Sequence, residues 1–288
     1  MTANFKSPLR YPGGKASLTR IIEQIVIDHE LAGRHLFEPY AGSAAISIAL
    51  VGDGVCPFAS ISELDPLLYS FWKTVFSNPS KLIRRIKKTE ITLNTWHKLR
   101  PLLELDAPDE SQLDTLAFAA LFFNRTNFSG VIHSGPIGGQ TQSSDYSIDC
   151  RFNRDELVER IEALSTLGPK FDVQHSDALE VIKRQRNKRS VLFYVDPPYY
   201  LQGKKLYRYN YRLNGHVALA EALHKAKFPW LLSYDRHDVI ENLYEDFHNV
   251  DQEFRYSSRV SKKESELLIT NVELVHPNAE KLKLVSAL

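Results

Sequence analysis

The sequence predicts an open α/β fold: a mostly parallel sheet, a helical insertion in its middle and an antiparallel hairpin at its end. Three observations carry this. Ser190-Val191-Leu192-Phe193-Tyr194-Val195 is an almost unbroken apolar run, the pattern of a strand buried on both faces, and Pro197-Pro198 stop it because neither can donate to a ladder. Strand-like runs ending in an acid alternate with helical patterns on either side of a central block. That block, from Asn78 to Lys170, offers helices and a long loop but no strand.

Length and composition fit this reading. A chain of 288 residues, 43% hydrophobic and 25% charged, suits one large domain or one domain carrying an insertion. Two cysteines are too few for a disulfide scaffold, and no Cys/His cluster has zinc-ligand spacing. Met1 to Lys6 lacks the apolar centre of a signal peptide, and no run reaches the length of a membrane span, so a cytoplasmic location is the expectation. A net charge of +1 announces no polyanion partner overall. Local charge is more informative. Lys81–Lys88 and Lys183–Arg189 are basic runs, the second read as a solvated turn. Lys204, Lys205, Tyr207 and Arg208 belong to a stretch that interleaves cations with aromatics, a mixture suited to phosphate contacts and base stacking.

In chain order, Tyr11-Pro12-Gly13-Gly14-Lys15 precedes a helix with apolar residues at Leu18, Ile21, Ile22, Ile25 and Val26. The two glycines leave helix amides free to meet an anion, although the spacing is not that of a Walker loop. His35 to Glu38 reads as a strand, Pro39-Tyr40-Ala41-Gly42-Ser43 as a turn and Ala44–Leu50 as a helix, like a first nucleotide-binding βα turn. Phe58–Glu63 is a second strand, and its terminal Glu63, 25 residues after Glu38, suits a ribose diol, with Asp65 as the competing acid. After the helix Leu67–Phe76 come helices Lys81–Lys88, Asn94–Leu105 and Leu113–Phe123. A polar loop then opens at Asn124-Arg125 and runs to about Asp149 before the helix Arg154–Leu164. The sheet resumes with a strand ending in Asp177, which could instead cap the helix that follows. Next come the strand into Asp196, the helix Val217–Lys227, the strand Pro229–Tyr234 and the helix Asp238–Phe247. Two antiparallel strands, Glu253–Arg259 and Glu266–Val272, close the chain around a basic turn. His133 and His175 read as ordinary loop or core residues.

Three acids at strand ends together with Asp196-Pro197-Pro198-Tyr199 form a constellation. In order, the Gly-Gly-Lys segment, the Glu38–Gly42 turn, Glu63, Asn124-Arg125, Asp177 and Asp196–Tyr199 resemble the Dam-type, alpha-group DNA adenine-specific methyltransferases over nearly the whole chain. The resemblance implies a Rossmann-like S-adenosyl-L-methionine-dependent methyltransferase sheet. Residues 1–77 and 171–288 would form the catalytic domain and 78–170 a target-recognition insertion. Tyr11, Gly13 and Lys15 would meet the methionine end of the cofactor, and Glu38, Tyr40 and Gly42 the turn around its amino and carboxylate groups. Glu63 would hold the ribose and Asp177 the adenine, with Asp196 at the boundary between cofactor and target. Asp196, Pro197, Pro198 and Tyr199 would act on the target base. Asn124, Arg125, Lys204, Lys205, Tyr207, Arg208, Arg259 and Lys262 would contact DNA. The implied partners are double-stranded DNA and a possible cognate restriction enzyme, for a monomer or weak dimer. Ala44 departs from the pattern, standing where the family often carries a second glycine.

The chemistry fits these residue types. An adenine amino group is a poor nucleophile because its lone pair is delocalised. Acceptors aimed at its two N–H groups counter this: Asp196 can take one and the Pro197 carbonyl the other, while Tyr199 stacks on the base. A paired base must first leave the duplex, at a cost of a few kcal/mol. Two enzymatic alternatives are weaker. A cytosine-amino enzyme usually shows Ser in place of Asp196, and a protein-glutamine enzyme Asn. A DNA-binding module without turnover is at odds with the intact Lys15, Asp196 and Tyr199.

Overall fold

The computed structural model describes residues 5–10, 16–201, 203, 208–250 and 266–274. Seven strands form one sheet in the order β3-β2-β1-β4-β5-β7-β6. They are β1 (His35–Glu38), β2 (Ala59–Glu63), β3 (Phe171–His175), β4 (Val191–Val195), β5 (Trp230–Asp235), β6 (His248–Asn249) and β7 (Glu266–Thr270). The first five run parallel, and β7 lies antiparallel between β5 and β6. Glu253–Arg259, expected as a strand, lies outside the described residues. Its expected partner is β7, which pairs with β5 and with the short β6.

Helices cover both faces, which is why β4 is apolar at every position. On one face α1 (Ala16–Asp28), α2 (Ala45–Gly52) and α3 (Pro66–Ser77) share a core with Leu36, Leu192, Tyr194 and Leu231. On the other, α8 (Ala178–Gln185), α9 (Leu213–His224) and α10 (Asp238–Leu243) pack on Phe37, Phe193, Val195 and Leu232. Stacked rings of Phe37, Phe193 and Phe228 tie β1 and β4 together, with centroids 4.9 and 3.9 Å apart.

The region 78–170 holds α4 (Ser80–Lys88), α5 (Leu93–Leu99), α6 (Leu113–Thr126) and α7 (Arg154–Ser165). The helix expected over Asn94–Leu105 turns 3₁₀ from Arg100, next to Pro101, which lacks an amide proton for the α-helical ladder. The insertion has no core of its own. Residues Leu116 to Phe123 of α6 are all buried, and they join α3 in the main core. The helix also runs three residues further than expected, so Asn124 and Arg125 are helical and the loop begins after Thr126. Of the basic run 183–189, Lys183 to Gln185 form the last turn of α8, with Gln185 buried, and 186–189 make the exposed turn before β4. Among the described residues no helix is long and apolar enough to cross a membrane.

Candidate active site

In the order 3-2-1-4-5 the chain winds outward from β1 in one direction and from β4 in the other. The gap beyond their carboxyl ends is the switch point where such sheets take ligands. A cleft of about 980 Å³, open solvent at its mouth included, lies there. Its wall brings Tyr40, Gly42, Glu63, Asp177, Asp196 and Pro198 together with Asn124 and Arg208.

The β1–α2 turn is braced from both sides. Gly42 sits at φ 46°, in the left-handed region that favours glycine. Its N–H donates to Glu63 Oε2 at 3.0 Å, and its carbonyl accepts from the buried Trp72 indole at 2.9 Å. Ala44, also left-handed at φ 49°, offers α2 no side-chain cap. The buried Glu38 takes that part: its Oε2 accepts the Ser47 N–H at 2.9 Å, inside the first turn of α2.

Glu63 lines the cleft. Its Oε1 accepts from the amides of Leu64 and Asp65 at 3.0 and 3.3 Å. Burial, reinforced by Asp65 nearby, pushes its carboxyl up to about 7 against the pull of these donors. Asp65 has a separate duty: it caps α3 through Leu67 N–H and Leu68 N–H. Asp177 is not the strand end that the sequence suggested. β3 stops at His175, so Asp177 is the cap of α8, with Oδ1 accepting from Leu179 N–H at 2.8 Å, and it also lines the cleft.

The segment after β4 is held by β5. Asp196 Oδ1 accepts from the Ser233 hydroxyl at 2.7 Å. Asp235 receives the amides of Tyr200 and Leu201, both at 2.8 Å, and so fixes the turn that follows Tyr199. Pro197 and Pro198 are buried and Tyr199 is half-buried. Further on, the Tyr211 hydroxyl bonds that of Tyr40 at 2.7 Å, joining this segment to the β1–α2 turn. Burial raises both phenols, Tyr211 to about 12.

The insertion corrects two expectations. Asn124, expected to face DNA, is buried and fully used by backbone: it accepts from Arg10 N–H at 2.7 Å and donates to the carbonyls of Arg10 and Gly130 at 2.8 and 2.9 Å. Arg125 points the same way. Its guanidinium donates to the Pro8 carbonyl, and burial, aided by Arg160, lowers it to about 10. Arg208 lines the cleft but donates to Leu105 O at 2.6 Å and Asp106 at 3.0 Å, strapping the post-β4 segment to the insertion. Tyr11, Gly13, Lys15, Lys204, Lys205, Tyr207, Arg259 and Lys262 lie outside the described residues.

Sequence reasoning gave no role to the cleft-wall residue His133, nor to Phe128 and Ser233. His133 lines the wall with Nε2 3.5 Å from Asp65. Phe128 stands 70% exposed on a turn whose left-handed Ser129 and buried Asn127 hold it in place. The available signals were an aromatic in a polar loop for Phe128, and for Ser233 a lone serine in an apolar strand. Among the described residues no group of His, Cys, Asp and Glu side chains could hold a metal ion.

The family model for D12 class N6 adenine-specific DNA methyltransferases matches residues 11–257. No curated protein matches the chain.

Proposed function

Because the chain belongs to the D12 class N6 adenine-specific DNA methyltransferase family, and so methylates adenine N6 in DNA, we propose that transfer takes place in the switch-point cleft with S-adenosyl-L-methionine as methyl donor. The observation that carries this reading is the meeting of Glu63, Asp177 and Asp196, from three strand exits, on one wall. The donor set fits that cofactor. Glu63 is an acceptor for the ribose hydroxyls, Asp177 for the adenine amino group, and the braced Gly42 turn leaves room for backbone approach. When bound, the cofactor supplies an electrophilic sulfonium methyl.

The chain's own residues do the rest. Asp196 and the Pro197 carbonyl accept the two amino protons of adenine, which orients the nitrogen lone pair and stabilises the charge that develops on it. Two prolines suit this exit because neither brings an N–H to compete. Tyr199 stacks on the base. The substrate is duplex DNA, and the target adenine leaves the stack to reach Asp196. Phe128, an exposed ring on the turn after α6, suits the gap left in the duplex. Lys15 at the cofactor's methionine end, and Lys204, Lys205, Tyr207, Arg259 and Lys262 on DNA, complete the reading from sequence alone.

The test is methyl transfer from labelled cofactor to unmethylated DNA, with nucleoside analysis of the product. The expected product is N6-methyladenine. Asp196→Ala should lower transfer by about 10³-fold or more while sparing cofactor and DNA binding. Retained turnover in that variant would sink the assignment.

A further inference from the structure

We propose that Ser233 is a positioning residue for the transfer, holding Asp196 through a buried hydrogen-bond chain that runs Tyr194–Ser233–Asp196. This rests on the reading of Asp196 as the acceptor for the adenine amino group.

The chain follows from strand register. β4 and β5 run parallel with Tyr194 beside Leu231 and Val195 beside Leu232, so the next pair outward is Asp196 and Ser233. Side chains alternate along a strand. Tyr194 and Leu231 face the core under α1–α3, while Val195 and Leu232 face the opposite one. Asp196 and Ser233 therefore project on the same side as Tyr194. There the Ser233 hydroxyl donates to Asp196 Oδ1 at 2.7 Å, and the Tyr194 hydroxyl lies 2.9 Å from Ser233 Oγ. A hydroxyl has one proton to give, and a carboxylate only accepts. The direction is thus fixed: the phenol donates to serine and serine donates to the carboxylate.

Both hydroxyl-bearing residues are buried. Burying hydroxyls costs free energy unless they are bonded, and Ala with Phe would fill the same space. Stability alone does not call for this pair. What the chain does is fix the plane of the Asp196 carboxylate at the cleft wall. The acceptor offered to the amino nitrogen then has one orientation instead of an average over rotamers. Alignment of this kind is worth a great deal, since a misplacement of about 1 Å can cost about 10²-fold in rate.

The experiment measures single-turnover transfer, cofactor and DNA dissociation constants, and thermal stability, all on the full chain. Ser233→Ala should lower the transfer rate about 10- to 100-fold with both dissociation constants nearly unchanged. Tyr194→Phe, an isosteric change, should lower it about 3-fold, and the double variant should be no slower than Ser233→Ala, because the proposed chain runs from Tyr194 through Ser233 to Asp196. Ser233→Thr, which keeps the hydroxyl, should recover most of the rate. A merely structural serine would lower stability but leave the rate per folded molecule unchanged, and that result overturns the inference. Additive losses in the double variant overturn the chain. If Ser233→Ala does not fold, Tyr194→Phe decides, and an unchanged rate there overturns it. Asp196→Ala separates the two levels. If it retains turnover, the parent reading falls and takes this one with it. If it is dead while Ser233→Ala is normal, only the positioning role falls.

Discussion

The carboxyl edge of the sheet and the insertion facing it each supply part of the cleft wall, and they use polar side chains differently. At the edge, parallel pairing fixes where each strand ends, so Glu63, Asp177 and Asp196 arrive together whatever lies between them in sequence. Glu63 also braces the β1–α2 turn, yet its carboxyl stays on the wall. In the insertion, Asn124 lies on the same wall, but all three of its described hydrogen bonds go to backbone groups of Arg10 and Gly130. A polar residue at a strand exit marks chemistry. A polar residue at the end of a buried helix marks an anchor, because backbone groups that turn inside a core must find partners.

The sharpest way to break this contrast is Asn124→Ala. It strands one amide and two carbonyls, and should cost about 2–3 kcal/mol of stability. Unfolding by denaturant would show it as a lower midpoint with an unchanged slope. Cofactor affinity and choice of DNA sequence should survive in the folded fraction. Unaltered stability with lost sequence discrimination would return Asn124 to the DNA-reading role that its position in the sequence suggests.

The same contrast governs what could be read in advance. The strand exits were legible because apolar runs ending in Glu38, Glu63 and Asp196 carry both a period and a stop. Asp177 was half legible: its run suggested a strand end, with a helix cap as the alternative, and it is the cap that stands on the cleft wall. The insertion helices were legible from their apolar faces, but not the burial of α6 under α3, which depends on contacts made far apart in sequence. The directions of Arg125 and Arg208 were not legible either. Nothing local says whether a guanidinium meets phosphate or, as here, the carbonyls of Pro8 and Leu105.

A smaller effect sharpens the edge side. Glu63 has a carboxyl raised to about 7, above its ordinary 4.5, chiefly by burial. For folding of the free enzyme the sign is clear: its contribution is fully present below about 4.5 and lost as pH rises through about 7. Cofactor binding has the opposite sign, because ribose hydroxyls donate to the ionised form. The dissociation constant should fall about 10-fold between pH 6 and 8, and Glu63→Gln should bind about 10-fold more weakly at pH 8 with a nearly flat pH profile. Calorimetric titration at several pH values checks this. A wild-type profile that stays flat would remove Glu63 from the ribose site and turn attention to its neighbour Asp65.

The smallest effect tests how much of the β1–α2 turn is strain. Ala44 is fully buried at φ 49°, in the left-handed region that favours glycine. A left-handed alanine costs about 1–2 kcal/mol, which Ala44→Gly would relieve. Against that stand the lost burial of a methyl, about 0.8 kcal/mol, and the added freedom of glycine in the unfolded chain, about 0.4–1 kcal/mol. The terms nearly cancel, so stability should change by less than about 1 kcal/mol, read as a small shift in the melting temperature. Glu38 is what makes this tolerable. It caps α2 from β1 and does not depend on the side chain at position 44, so the first turn of α2 keeps its partner in either variant. A large loss of stability in Ala44→Gly would mean that the methyl, and not the Glu38 cap, holds the turn in shape.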